Sequence, residues 1–204
     1  MGLTRLKGLV YDANCYIISL DKEVVIIDPC ADASEIMEVA ENKPISYIIL
    51  THAHADHFNS LEELLKISDA KVIMHPSAKE KLNNKFYNVS DDYDKPIEIE
   101  IDDDRIILVD DGFMLEVEGK AFTFLHTPGH SSCSMCIKVD NYLFSGDTLF
   151  YNGIGRYDLY SSSFVELRKS LRKLSSLDPS LMLLPGHGPR SMLGLEVTRY
   201  IPKN

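Results

Sequence analysis

The chain has 204 residues, which suits one domain with a sizeable core and is short for two. With 45% apolar and 25% charged residues it has an ordinary soluble globular composition, and it has no apolar run long enough to span a bilayer. A formal net charge of -10 argues against nucleic acid as a partner, because binding phosphates needs clustered Lys and Arg.

Met1 to Val10 has neither a long apolar segment nor a small-residue cleavage site, so no signal peptide is read and the cytoplasm is the expected compartment. Asn14–Leu20 and Val24–Asp28 read as two strands joined by a turn at Asp21-Lys22. The spacing of Ile36, Val39 and Ala40 predicts a helix over 33–41, with Pro44 beyond its end. Ile45–Leu50 is a continuous apolar run, as a strand buried on both faces would be. After the segment Thr51-His-Ala-His-Ala-Asp-His57 a helix begins near Ser60, with Asn59 and Glu62 as a capping pair. Lys71–His75 reads as a strand and Ser77–Leu82 as a short helix.

The acidic stretch from Asp91 to Asp104 reads as a solvated surface loop. Short strands follow at Arg105–Val109, Met114–Val117, Ala121–His126, Cys133–Val139 and Tyr142–Ser145. Phe164, Leu167, Leu171 and Leu174 mark an amphipathic helix over 164–177, and Leu181–Leu184 is a last strand. No linker interrupts the chain, so a single domain over 1–204 is expected.

Chemistry concentrates at His52-x-His54-x-Asp56-His57, four donor side chains within six residues between a buried strand and a helix start. If the loop is extended, alternate side chains share a side, so His52, His54 and Asp56 converge while His57 points to a neighbouring ion. Three later residues stand at strand ends: His130 and His187, each after Pro-Gly, and Asp147 in Ser145-Gly-Asp-Thr. In both Pro-Gly turns the Gly permits a tight turn that presents the His. Together these supply seven nitrogen and oxygen ligands, which suits two divalent ions sharing one carboxylate; zinc, iron and manganese fit such a set. Two divalent ions less two aspartates and one hydroxide leave a residual positive charge to polarise a carbonyl, which is the logic of a hydrolase.

His75 and His126 lie in or at the end of apolar strands and read as structural or supporting residues. Cys133 and Cys136 form a C-x-x-C without the second pair a zinc site of this sort wants. With Cys15 and Cys30 they read as free thiols.

The stretches Thr51–His57, Thr127-Pro-Gly-His130-Ser, Ser145-Gly-Asp147-Thr-Leu-Phe150 and Leu184-Pro-Gly-His187-Gly-Pro189 resemble the metallo-β-lactamase superfamily, most closely its glyoxalase II (hydroxyacylglutathione hydrolase) branch. The resemblance runs from about Asn14 to the C-terminus. It implies an α+β fold, a four-layer αββα sandwich, with the site at the sheet edges. It implies one metal on His52, His54 and His130, another on Asp56, His57 and His187, and a bridging Asp147, with Asp56 and Asp147 also counted as catalytic. Two divalent ions, zinc foremost, would supply a bridging hydroxide that attacks the carbonyl of an acyl thioester, a small-molecule substrate.

The resemblance also suggests Arg156 and Tyr157, in Gly153-Ile-Gly-Arg-Tyr-Asp158, as substrate-binding residues. Asp158 stands where that branch has Tyr and Cys30 where it has Gly, and with so few residues after Pro189 the branch's C-terminal helical domain is not expected. Asp147 stands where the most familiar β-lactamases have Cys. A lactonase, a phosphodiesterase and a mononuclear-iron persulfide dioxygenase are the alternatives on the same ligand set. No membrane partner is expected.

Overall fold

The computed structural model describes residues 1–41 and 43–201. By its internal contacts the chain divides into two compact units, 1–74 with 78–108 and 75–77 with 109–204.

The first unit is built on a six-stranded sheet in the order β1-β2-β3-β4-β5-β6. Its strands are β1 (Gly2–Lys7), β2 (Asn14–Ser19), β3 (Val24–Ile27), β4 (Ile45–Ile49), β5 (Lys71–Met74) and β6 (Ile106–Leu108). β1, β2 and β3 pair antiparallel; β3 to β6 run parallel. Parallel neighbours need crossovers, and helices α1 (Ala33–Ala40) and α2 (Leu61–Ile67) supply the first two. All four residues of β3 are buried, which explains why its sequence is apolar without alternation. Asp32 caps α1 by accepting the Ser34 N–H at 2.8 Å, and Glu41 ends it in the left-handed conformation at φ 51°.

The N-cap of α2 is Ser60, without a side-chain cap bond, so the expected Asn59–Glu62 pairing is not made. Ser60 Oγ instead donates to the Ala31 carbonyl, which ties the helix start to the loop after β3. A single 3-10 turn at Pro76–Ala78 and the short α3 (Lys79–Leu82) stand where one short helix was expected. Asp91, Asp92, Asp94 and Asp102 to Asp104 are exposed, as expected of a solvated stretch.

The second unit holds a sheet in the order β14-β13-β10-β9-β8-β7. Its strands are β7 (Met114–Val117), β8 (Lys120–His126), β9 (Met135–Val139), β10 (Tyr142–Gly146), β13 (Met182–Pro185) and β14 (Ser191–Met192), with a small hairpin of β11 (Leu149–Phe150) and β12 (Gly153–Ile154). In this sheet β10 and β13 pair parallel, and the other pairs are antiparallel. Helices α4 (Phe164–Leu174) and α5 (Leu193–Tyr200) complete the unit. Leu167, Leu171 and Leu174 of α4 pack with Leu143, Leu183, Leu193 and Val197 in one buried cluster. Burying three leucines at about 1.5–3 kcal/mol each makes this helix a principal support of the unit. The sequence reading passed over β1, the β11–β12 hairpin, β14 and α5, all short or amphipathic in few residues.

Candidate metal centre

In the first unit the chain leaves β4 at Ile49 and turns through Thr51 into the histidine loop. The loop is not extended throughout. Ala55–His57 forms a 3-10 turn, closed by the His57 N–H bonding to His54 O at 3.0 Å. In this turn the His57 ring centroid lies 4.2 Å from that of His52, and the His54 centroid lies 4.7 Å from that of His52. What differs from expectation is the backbone: the expected loop is extended, and at 55–57 i→i+3 bonding replaces the strand alternation. His57 Nε2 lies 3.8 Å from Asp56 Oδ2. His52, His54 and His57 are at most 4% exposed.

The loop is pinned from two directions. The Ala55 N–H donates to the Asn88 carbonyl at 2.9 Å, and buried Asn88 in turn donates from Nδ2 to Ile97 O at 2.7 Å. The segment before the acidic stretch is thus a brace for the donor loop.

Asp28 braces it from below. It ends β3 with φ 54°, is 1% exposed, and accepts from Thr51 N at 2.7 Å, Thr51 Oγ1 at 2.6 Å and His57 Nδ1 at 2.9 Å. Thr51 Oγ1 gives its only proton to Asp28, so at 3.1 Å from His52 Nδ1 it acts as the acceptor of that ring's proton. Both histidines consequently carry hydrogen on Nδ1 and present Nε2 as a lone pair. Sequence reasoning missed Asp28; a carboxylate directly after a wholly apolar strand is the signal that marks it.

In the second unit Asp147 follows β10. Its Oδ2 lies 3.5 Å from His130 Nε2 and 3.6 Å from His187 Nε2, so one carboxylate oxygen faces both imidazoles. His130 donates from Nδ1 to the Arg156 carbonyl at 2.9 Å, which again leaves Nε2 outward. The two Pro-Gly turns differ. Gly129 has φ 143°, and a Cβ there would lie 2.3 Å from Leu167 Cα, so the turn sits directly on α4. At the second turn the left-handed residue is Gly188, at φ 76°, and the Gly186 N–H bonds to Gly146 O at 2.8 Å, tying the end of β13 to the end of β10. Gly155 is a further residue that sequence reasoning missed. A Cβ on it would fall 1.8 Å from the Asp147 carbonyl and 2.9 Å from His130 Cβ.

Arg156 reaches Asp158 through Nε at 2.9 Å and Nη2 at 3.1 Å, with both side chains about two-thirds exposed. This pairing holds the Asp158 carboxyl below its usual range. Tyr157 is half exposed, its ring 4.8 Å from that of Phe164.

Nitrogen and carboxylate donors without thiolate fit a divalent ion such as zinc, iron or manganese. The outer partners fit as well: metal-binding histidines commonly donate their second N–H to a carboxylate or a backbone carbonyl, and His57 and His130 do so here.

Comparison with known proteins agrees. The model of the metallo-beta-lactamase superfamily matches residues 8–187. A probable metallo-hydrolase of Bacillus subtilis, YqgX, is 33% identical over 88% of this chain and 86% of its own. A hydroxyacylglutathione hydrolase of Salmonella paratyphi A is 32% identical over 80% of this chain and 56% of its own. Among solved structures, the B3 metallo-beta-lactamase BLEG-1 matches with a TM-score of 0.86 at 28% identity, covering 95% of each chain. TTHA1623, solved in a di-iron-bound form, matches with a TM-score of 0.83 at 28% identity, covering 94% of this chain and 96% of its own. The fold is that of these structures, in the α+β class, as the sequence resemblance implied. Among the described residues no helix is long and apolar enough to cross a membrane.

Proposed function

Since this chain belongs to the metallo-β-lactamase superfamily, we propose that it is a binuclear metal-dependent hydrolase whose substrates are acyl thioesters of small thiols. His52, His54 and His130 are the ligands of one ion, Asp56, His57 and His187 those of the other, and Asp147 is shared. When bound, such ions lower the pKa of water to about 7 and polarise a carbonyl.

The chain's own residues prepare that chemistry. Asp28, through His57 directly and His52 by way of Thr51, fixes the tautomer with hydrogen on Nδ1 and so leaves Nε2 as the ligand atom. The Arg156 carbonyl does the same for His130. Asp147 Oδ2, placed between His130 and His187, is the observation that carries the binuclear reading, because a carboxylate oxygen facing two imidazoles is suited to serving two ions. Asp56 supplies a carboxylate beside His57. Arg156 and Tyr157, on the exposed segment after the β11–β12 hairpin, are the residues that contact the thiol portion of the substrate. Thioesters are favoured as the substrate class by the likeness to a hydroxyacylglutathione hydrolase over 80% of this chain.

A second reading has its own observation. The likeness to BLEG-1, which is named a B3 metallo-beta-lactamase, favours a lactam amide as the scissile group.

A substrate panel separates the two. S-lactoylglutathione, a neutral acyl thioester, nitrocefin, a lactone, a phosphodiester and glutathione persulfide are assayed on one zinc-, iron- or manganese-loaded sample of measured metal content. Thioester cleavage dominating the panel supports the proposal, and Asp147→Ala then abolishes it with loss of metal. Nitrocefin cleavage dominating would replace the thioester reading, and parent-rate thioester hydrolysis by Asp147→Ala would overturn the shared-ligand role.

A further inference from the structure

Within the second unit, and separate from the seven residues above, a second group of metal-type donors meets. One donor atom from each of His75, His126 and Asp110 lies within 4.8 Å of the other two, and His75 Nε2 is 3.8 Å from Asp110 Oδ1. His126 closes β8, Asp110 lies between β6 and β7, and His75 follows β5. Three chain segments far apart in sequence therefore bring two imidazoles and a carboxylate to one point.

The hydrogen bonds around the rings decide which nitrogens are available. His126 Nε2 lies 2.9 Å from the Ser132 carbonyl, an acceptor only, so the proton sits on Nε2 and Nδ1 carries the lone pair. This is the arrangement His130 shows with the Arg156 carbonyl, with the two ring nitrogens exchanged. His75 Nδ1 lies 2.8 Å from Ser77 Oγ and 3.2 Å from Ser77 N. When Nδ1 accepts the Ser77 N–H, the ring proton is on Nε2, which faces Asp110 Oδ1 at 3.8 Å. An ion taking Nε2 moves that proton to Nδ1, where Ser77 Oγ accepts it. Each histidine thus has an outer partner that holds its second nitrogen.

The surrounding charge admits a cation. Lys173 is committed to Asp111 and to the His126 carbonyl, and Asp111 also accepts the His126 N–H at 3.0 Å. Asp110, whose Oδ1 also accepts the Asp111 N–H at 2.7 Å, is the acidic group facing His75, 78% exposed. As they stand the two rings stack, centroids 4.0 Å apart and 14° from parallel.

We infer that His75, His126 and Asp110 form an additional divalent-ion site of two imidazoles and one carboxylate, for an ion of the zinc, nickel and copper group. Imidazole-rich sets select those ions over magnesium and calcium. The exposed Asp110 leaves a position for water and makes the site exchangeable. This inference is independent of the thioesterase reading, because none of the three residues belongs to the principal ligand set.

Zinc counting tests it. The full chain is loaded with excess zinc and dialysed against a weak chelator, and bound zinc per chain is measured by mass spectrometry for the parent, His126→Phe and Asp110→Asn. Phe keeps a ring against His75 without a nitrogen, and the exposed Asp110 tolerates Asn without risk to folding. The parent retains one zinc per chain more than His126→Phe, and Asp110→Asn loses the same equivalent at a lower chelator concentration. Copper(II) added to the zinc-loaded parent gives an electron paramagnetic resonance spectrum split by two nitrogens, which His126→Phe loses. Equal zinc content in the parent and both variants, or a copper spectrum unchanged in His126→Phe, would overturn the site.

Discussion

Asp28 Oδ2 accepts the Nδ1 proton of His57 at 2.9 Å, with both side chains buried. The two residues are 29 positions apart, and the bond joins the end of β3 to the 3-10 turn of the donor loop. It settles the tautomer of His57 and, through Thr51, that of His52.

Asp28→Asn keeps the shape of the side chain but replaces a charged acceptor by an amide, one end of which donates. Metal affinity is expected to fall about 10–100-fold, the range for outer-shell partners of metal-bound histidine. Competition against a chromogenic chelator measures it, and an affinity equal to the parent's would remove Asp28 from this role.

Gly155 tolerates no Cβ, because the Asp147 carbonyl would lie 1.8 Å away. Gly155→Ala displaces Asp147 or the hairpin, at a cost of about 1–3 kcal/mol for overpacking. Thermal unfolding is expected to drop by roughly 2–4 °C per kcal/mol, together with a weakening of metal binding. A variant matching the parent in both would mean that the segment yields without moving Asp147.

Arg156 acts in two separable ways. Its carbonyl orients His130, and its guanidinium, paired with Asp158 on the surface, is the candidate contact for an acidic substrate. An exposed pair is worth about 0–1 kcal/mol, so a substrate carboxylate can compete for the guanidinium. Arg156→Ala keeps the carbonyl. It is expected to leave metal content unchanged and to raise KM for an anionic thioester several-fold with little change in kcat. Asp158→Ala is expected to lower that KM. Steady-state kinetics with anionic and neutral thioesters decide the matter, and a KM indifferent to both substitutions would assign substrate binding elsewhere.

The four cysteines are all free and buried. Burial pushes the Cys136 thiol up to about 11, and the hydrogen bond with Cys15 together with burial raises that of Cys30. Thiolate is the reactive form, so these groups are expected to be inert at neutral pH. An aromatic disulfide reagent is expected to modify no thiol in the native chain and all four after denaturation. Rapid native labelling at Cys133 or Cys136 would revive a redox reading of the C-x-x-C.

Much of the site was legible in the chain's residues. Four donors in six residues after a mostly apolar strand, and a His or Asp at three later strand ends, stand out because imidazole and carboxylate are rarely grouped so closely without an ion to hold. The strands β2 to β5 and the helices α1 and α4 were equally plain, since the strands are short, mostly apolar runs and the apolar residues of the helices recur at helical spacing. Tertiary structure alone decided the rest. Whether the donor loop stays extended or closes into a 3-10 turn at 55–57 depends on one i→i+3 bond that no periodicity encodes. That Asp28 serves His57, Gly155 yields to Asp147, and Asn88 braces Ala55 depends on pairing between segments distant in sequence. Such contacts follow from strand register and loop closure, which local composition leaves open, whereas the identity of the donors is written residue by residue.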